Sequence, residues 1–204
     1  MTLTLYEGPI SPNARKVRLI AAELGLTLNR VRLNVVKGDT RTPDYLAKNP
    51  NGTIPTLDDD GFVLWESAAI LRRLAAKRPE RDLLPADPRT AALADQWLCW
   101  WISQPEAALM RLARECLIKP ALGQPGHDPV IVGDARGALE RYLPVLDRQL
   151  EGRDFIVGPL TLVDFTAGPW LDVAPAAFTV DIDRHAHIGA WLARLRAKPY
   201  WQDA

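Results

Sequence analysis

Apolar and polar residues alternate from Thr2 to Tyr6, the period-two pattern of a half-buried strand. Gly8 and Pro9 break it. From Ser11-Pro12-Asn13 the pattern changes to helical spacing, with Val17, Ile20, Ala21 and Leu24 on one face as far as Gly25. Serine ahead of proline is a good N-cap followed by a good first helical residue. Alternation returns over residues 28–35, with Val31, Leu33 and Val35 on the apolar face of a second strand. Two short apolar runs, 53–57 and 62–64, flank Asp58-Asp59-Asp60-Gly61, which reads as a hairpin turn. A helix then starts near Glu66 and carries Ile70, Leu71 and Leu74 on one side. The order is strand, helix, strand, then strand, strand, helix. It fits a thioredoxin-like α/β layer over residues 1–76.

Beyond that layer the pattern changes. Pro79, Pro85 and Pro88 stand among charged residues, and residues 77–87 read as a linker. Helical spacing then covers 90–115, 130–150, 162–173 and 188–198, and only a short ambiguous run at 155–157 suggests a strand. Residues 88–204 are therefore expected to form an all-helical domain. Within it, Thr161 and Asp164 have the spacing of a capping box, and Leu160 and Phe165 that of a hydrophobic staple. Gly168-Pro169 should weaken or kink the third of these helices.

Charge narrows the partners. Lys+Arg and Asp+Glu both number 25, so the net charge is zero and no basic block is present. Nucleic acid and anionic membrane are therefore not expected as partners, and little repulsion opposes self-association. The first residues show neither a basic nor an apolar leader region, and no apolar run reaches the ~20 residues of a membrane span. Cys99 and Cys116 form no CxxC and are expected to be reduced core thiols, as in a cytoplasmic protein. His127, His185 and His187 lack the spacing and partners of a metal site, so no metal is expected.

Three segments can carry chemistry. At Ser11 a helix N-terminus offers unpaired N–H groups and partial positive charge, and the hydroxyl can donate to a bound sulfur. A free thiol has a pKa near ~8.5, and one charge-assisted hydrogen bond of roughly 1.5–3 kcal/mol lowers it by about one to two. The same Ser-Pro pair also serves as an ordinary cap. In Asn49-Pro50-Asn51-Gly52-Thr53-Ile54-Pro55, Ile-Pro after a glycine turn suggests a cis peptide whose unpaired backbone can take up an extended peptide. A trans proline opening an edge strand is the alternative. At Trp65-Glu66-Ser67, Ser67 and the following N–H groups can bind a carboxylate while Glu66 accepts an ammonium. An α-amino-acid head needs both, and an ordinary cap needs neither.

Taken in order, SPNARKVRLIAAELGL, NPNGTIPTLDDDGFVLWESAAILRRLA and GPLTLVDFTAGPWL resemble the three best-known segments of the cytosolic glutathione transferase superfamily. The similarity runs over essentially the whole chain and is to its bacterial serine-type members, theta-, delta- or zeta-like. No cysteine occupies the first helical turn, which argues against the thiol-exchange branches. No tyrosine fits the position used in the alpha, mu and pi classes.

The resemblance implies a glutathione-binding thioredoxin-like domain followed by a helical one, and it implies roles for residues. Ser11 would hydrogen-bond the glutathione sulfur, with Asn13 assisting. The Ile54 backbone would pair with the cysteinyl part of glutathione, Thr53 and Pro55 beside it would belong to the binding segment, and Glu66 and Ser67 would hold the γ-glutamyl head. Lys37 or Arg41 would take the glycyl carboxylate. Glutathione is the implied co-substrate, a small electrophile the second substrate, and a cytoplasmic homodimer the implied state. The family's second substrate lies between its domains, where Trp97, Trp100, Trp101 and Met110 are candidate lining residues, although core packing explains such tryptophans equally. Conjugation is the leading expectation. Isomerase, dehalogenase or peroxidase activity, or a non-catalytic binding module, are the alternatives.

Overall fold

In the first strand, β1 (Leu3–Glu7), Leu3, Leu5 and Glu7 are buried and Thr4 and Tyr6 are half-buried, as the alternation requires. The computed structural model describes residues 2–202. These divide into two units, residues 2–84 with 200–202, and residues 85–199.

The first unit continues through α1 (Pro12–Glu23), β2 (Asn29–Arg32), the single turn α2 (Pro43–Leu46), β3 (Thr56–Asp59), β4 (Phe62–Trp65) and α3 (Ser67–Ala75). The sheet order is β2-β1-β3-β4. β1 runs parallel to β2, and this pairing requires a crossover, which α1 supplies. β3 is antiparallel to both of its neighbours, and two residues suffice to connect it to β4. Those residues, Asp60 and Gly61, both have positive φ, 52° and 89°, as a tight hairpin demands. Apolar residues of α1 and α3 pack together under the sheet, with Val17, Ile20, Ile70, Leu71 and Leu74 fully buried beside Leu5 and Leu57.

β2 is shorter than its alternation suggests. It ends at Arg32, and Val35 is 45% exposed rather than on the apolar face. Local side chains hold the chain in a turn at this point. The Asn34 N–H donates to Asp39 Oδ2 (2.7 Å), and Asn34 Oδ1 accepts from the Lys37 N–H (3.0 Å). Such side-chain bonds compete with a strand ladder.

Residues 200–202 group with the first unit through α1. Arg15 Nη2 donates to the Trp201 carbonyl (2.9 Å) and its guanidinium lies 5.2 Å from the Trp201 ring, while Tyr200 donates to Glu23.

Two buried carboxylates tie this unit together. Glu7 is fully buried and accepts from Arg18 of α1 and Arg30 of β2. Asp59, buried at the end of β3, accepts from Arg73 (2.8 Å) and Lys77 (2.7 Å). Burial opposes ionisation of Asp59, but the hydrogen bonds and charges of Lys77 and Arg73 outweigh it and hold the carboxyl below its ordinary value. A carboxyl depressed in the folded state stabilises above its unfolded pKa of about 4, and that stability is lost as pH falls further. Asp59→Asn is therefore expected to cost on the order of 2 kcal/mol at pH 6 and clearly less at pH 2.5. Urea midpoints at the two pH values test this, and an equal loss at both contradicts it.

The second unit is helical among the described residues. It comprises α4 (Pro88–Trp101), α5 (Ala107–Ala113), α6 (Lys119–Ala121), α7 (Pro129–Leu150), α8 (Leu162–Phe178) and α9 (Ala186–Arg196). Two wide π-turns, Ile102–Glu106 and Arg114–Ile118, join the first three into one run. Pro105 sits in the first of them, where a wider turn accommodates the ring and the missing N–H. α8 is one helix that continues through Pro169 and Pro175, so the weakening expected at Gly168-Pro169 does not end it. All residues from 161 to 171 are buried, with α4, α5 and α9 packed around the helix. That packing outweighs the ~3 kcal/mol that an interior proline costs a helix. The cysteines are not core thiols: Cys99 is exposed and Cys116 half-buried, because both fall off the buried stripe of their helical run.

Candidate functional site

β-sheet register brings the three chemical segments to one end of the first unit. Tyr6, near the end of β1, pairs with Thr56, the first residue of β3, and Thr56 pairs with Trp65, the last residue of β4. Ser11 follows β1, Ile54-Pro55 precedes β3, and Glu66-Ser67 follows β4. All three therefore leave the sheet at the same edge.

Ser11 is the N-cap of α1, with extended φ and ψ of −74° and 120°. Its Oγ accepts from the Ala14 N–H at 3.3 Å, and its own N–H donates to the Gly8 carbonyl at 3.0 Å. The hydroxyl thus acts as acceptor toward the helix and keeps its proton for a donor bond elsewhere. No acidic residue of the first turn offsets the positive end of α1. Arg18 reaches back to hold the turn before Ser11, donating to the Pro9 carbonyl at 3.1 Å. Asn13 is the second residue of the helix and half-buried.

The Ile54-Pro55 peptide is cis. Among the described residues, no hydrogen bond engages the Ile54 N–H or carbonyl. The segment before it is held from behind. Tyr45 Oη donates to the Thr53 carbonyl (2.6 Å), and Asn49 Nδ2 donates to the same carbonyl (2.9 Å) and to Thr56 Oγ1 (3.0 Å). Asn49 is itself fully buried. The Thr53 carbonyl is thus spent on the scaffold, while the Ile54 backbone stays open. A Cβ on Gly8 would stand 2.7 Å from Ile54 Cδ1, so a larger residue there would require the Ile54 side chain to shift. That approach sets the turn before Ser11 directly against Ile54.

Arg41 lies over the same loop. Its Nη1 donates to the Asn51 carbonyl at 3.3 Å, and a Cβ on Gly52 would stand 2.6 Å from that nitrogen. Lys37 is exposed, with only its backbone N–H fixed, and among the described residues no side-chain contact ties it to the 51–55 loop.

Glu66 occupies the N-cap position of α3 at φ 70°, ψ 114°, a left-handed conformation costing a non-glycine residue on the order of 1–3 kcal/mol. Its side chain makes no capping bond and is exposed. Ser67 begins the helix and accepts from Lys16 Nζ of α1 at 3.4 Å. Strain at an exposed carboxylate beside a helix N-terminus is the pattern of a ligand clamp.

Sequence reasoning missed Lys16, Tyr45, Asn49 and Gly8. Their partners are distant in the chain, and only Gly8 carried a local signal, as the break after β1. In the second unit, the candidate aromatics divide. Trp101 is buried, whereas Trp100 is half-buried and meets Trp97 (5.0 Å) and Tyr142 (6.1 Å) edge to face. Met110 is exposed. Among the described residues no group of three His, Cys, Asp or Glu side chains clusters as a metal site would, and no helix is long and apolar enough to cross a membrane.

Comparison with known proteins gives one answer for both units. A family model for the N-terminal domain of glutathione S-transferase matches residues 5–82, and one for the C-terminal domain matches residues 107–199. Glutathione S-transferase D7 of Drosophila melanogaster is 32% identical over 98% of this chain and 87% of its own. The glutathione transferase BmGSTD1 of Bombyx mori superposes with a TM-score of 0.86 at 32% identity, over 98% of this chain and 91% of its own. Glutathione S-transferase I of maize, solved with an atrazine glutathione conjugate, superposes with a TM-score of 0.88 at 27% identity, over 100% of this chain and 96% of its own. With both domain models matched in order and relatives aligned over nearly their full lengths, the chain belongs to the glutathione S-transferase superfamily.

Proposed function

We propose that this protein conjugates reduced glutathione to small, largely apolar electrophiles, with Ser11 stabilising the glutathione thiolate. The observation that carries the reading is the convergence of Ser11, the open cis Ile54-Pro55 backbone and the Glu66-Ser67 helix start at one sheet edge. The three segments match the parts of one tripeptide. Glu66 accepts the γ-glutamyl ammonium while Ser67 and the α3 N–H groups take its carboxylate. The Ile54 N–H and carbonyl pair with the cysteinyl backbone, as an added strand would. Pro55 holds Ile54 in that orientation, and Thr53 anchors the loop. Of the two candidates for the glycyl carboxylate, Arg41 is favoured over Lys37 because its guanidinium already sits beside the 51–55 loop.

Chemistry then falls to the bound thiol. The N-terminus of α1 and the Ser11 hydroxyl favour its ionised form, and Asn13 adds a polar group one turn position on. The thiolate attacks an electrophilic carbon, a C–S bond forms, and the leaving group departs with its electron pair. Ser11 donates a hydrogen bond throughout and forms no covalent intermediate. The maize relative was solved with such a conjugate, which supports this reaction class.

Binding is the first test. Calorimetry should show glutathione binding to the wild type, and Glu66→Gln should weaken it about 10-fold or more, the value of a charge-assisted hydrogen bond. Because Glu66 is exposed and caps nothing, melting temperature should stay unchanged. A wild-type protein that ignores glutathione ends the whole reading. Full affinity in Glu66→Gln removes only the role of Glu66.

A further inference from the structure

Arg18 lies in the middle of α1 and is 6% exposed, with Glu7, the last residue of β1, wholly buried beside it. It stands about two helical turns after Ser11 and so on the same face of the helix. One guanidinium reaches two acceptors. Its Nη1 donates to Glu7 Oε2, and its Nη2 donates to the Pro9 carbonyl at 3.1 Å. Glu7 Oε1 accepts from Arg30 Nε at 2.5 Å, which holds the carboxylate from its other side. The planar fork of arginine suits such a bridge. It ties the end of β1 to the middle of the turn that leads into Ser11.

The Ser11 N–H closes that turn by donating to the Gly8 carbonyl at 3.0 Å. Turns with proline in second place take two common forms, which differ by a flip of the central peptide, here Pro9–Ile10. The flipped form needs a positive φ at Ile10, which a β-branched residue disfavours and Ile10 does not have. Ile10 is 92% exposed, so packing of its side chain does not hold the turn in place. Among the described residues, the hydrogen bond from Arg18 is what anchors the central peptide.

We infer that Arg18 is a positioning residue for the thiol chemistry: by bridging Glu7 and the Pro9 carbonyl, it sets where the turn delivers the Ser11 hydroxyl. The inference rests on the reading of Ser11 as donor to the glutathione sulfur, and it adds the group that aims that donor. Arg18 touches no substrate. A hydrogen bond weakens steeply as its donor tilts, and a misplacement of about 1 Å can cost a rate on the order of 100-fold.

The apparent pKa of the bound thiol, read by ultraviolet titration of the binary complex, is measured together with kcat, KM and melting temperature. The chains compared are the wild type, Arg18→Met, Arg30→Met, and Glu7→Leu combined with Arg18→Met. Arg18→Met should raise the thiol pKa toward that of a free thiol by about 0.5 or more and lower kcat about 10-fold. The KM for glutathione should stay within about 3-fold, because Ile54, Glu66 and Ser67 still hold the peptide. Arg18→Met also strands part of the buried Glu7 carboxylate, so stability should fall. Adding Glu7→Leu puts an apolar pair in place of the ion pair, and stability should return. The thiol pKa and kcat should not return with it, since the Pro9 carbonyl still lacks its donor. Arg30→Met should lower the melting temperature and leave the thiol pKa in place. Where Arg18→Met alone does not fold, the paired variant carries the comparison. In the Ser11→Ala background, Arg18→Met should lower kcat by less than about 3-fold more, because both changes act on one hydrogen bond. An unchanged thiol pKa without Arg18 overturns the inference. So does its recovery in the paired variant, or a full 10-fold further loss in the Ser11→Ala background. A wild type that does not bind glutathione, or a Ser11→Ala chain with the wild-type thiol pKa, instead removes the reading of Ser11 and the inference with it.

Discussion

Replacing Ser11 with alanine is expected to lower kcat/KM for conjugation by about 10- to 150-fold, the rate equivalent of one hydrogen bond to a charged group, roughly 1.5–3 kcal/mol. The loss should be a loss of thiolate. In the wild type the apparent pKa of the bound thiol should stand about one to two below the ~8.5 of a free thiol, and in Ser11→Ala it should return toward that value. Ultraviolet titration of the thiolate in the binary complex measures this directly, and the pH dependence of kcat/KM measures it independently. The KM for glutathione should change little, because Ile54, Glu66 and Ser67 still hold the peptide. Ser11 also caps α1 through the Ala14 N–H, so the variant should lose about 1 kcal/mol of stability as well. The two effects separate cleanly. A cap alone costs stability and leaves the thiol pKa in place. If Ser11→Ala conjugates at the wild-type rate with an unchanged thiol pKa, Ser11 is a cap and nothing more.

What could be read from the sequence was whatever local chemistry determines. The Ser11-Pro12 cap and the Thr161-Asp164 box need only neighbours within three residues, and each stands where its spacing places it, while the turn expected over residues 58–61 narrows to Asp60-Gly61 because Asp58 and Asp59 pair with β4. Lys16 was not legible. Its position in α1 resembles a solvated face, and its partner Ser67 is 51 residues away. Asn49 likewise reads as an ordinary loop residue until Thr53 and Thr56 fold around it. Gly168-Pro169 shows the same limit of a local reading. Proline's cost to a helix is local, whereas the burial that overrides it in α8 comes from three other helices. β2 stopped short because Asn34 and Asp39 offered the backbone a better bond than the edge of the sheet. The candidate site was therefore legible as three separate segments. Their convergence depends on the register between β1, β3 and β4, and no single segment encodes it.

The largest loss of stability is expected at Asp164, which has no part in the chemistry. Its side chain is fully buried. Oδ1 accepts from the Ile156 N–H (3.0 Å) and the Trp191 Nε1–H (2.9 Å), and Oδ2 accepts from the Thr161 N–H (2.9 Å). One carboxylate thus satisfies the cap of α8, the loop before it and an indole of α9. Asp164→Ala leaves three buried N–H donors without an acceptor, besides the Thr161 hydroxyl that donates to Oδ2 at 3.4 Å, at about 1–3 kcal/mol for each N–H. A loss on the order of 4 kcal/mol or more is expected, against a total of roughly 5–15 kcal/mol for a folded protein. Asp164→Asn should cost less, since its carbonyl oxygen can still serve the Oδ1 partners while its amide faces the Thr161 N–H. Titration adds a second signature. Burial raises the Asp164 carboxyl from 3.8 to about 6, against the hydrogen bonds from Ile156, Thr161 and Trp191 that favour its charge. A carboxyl raised in the folded state binds its proton there first, so its contribution to stability is greatest below about pH 4 and declines as pH rises to about 6. Asn cannot titrate. Its deficit relative to wild type should therefore narrow by about 2–3 kcal/mol between pH 4 and pH 7, as roughly two pKa units imply. Denaturant unfolding followed by tryptophan fluorescence, to which Trp191 contributes, measures both effects. A deficit independent of pH would show that the carboxyl titrates alike in the folded and unfolded chains. A small loss in Asp164→Ala would show that water replaces it at the three donors.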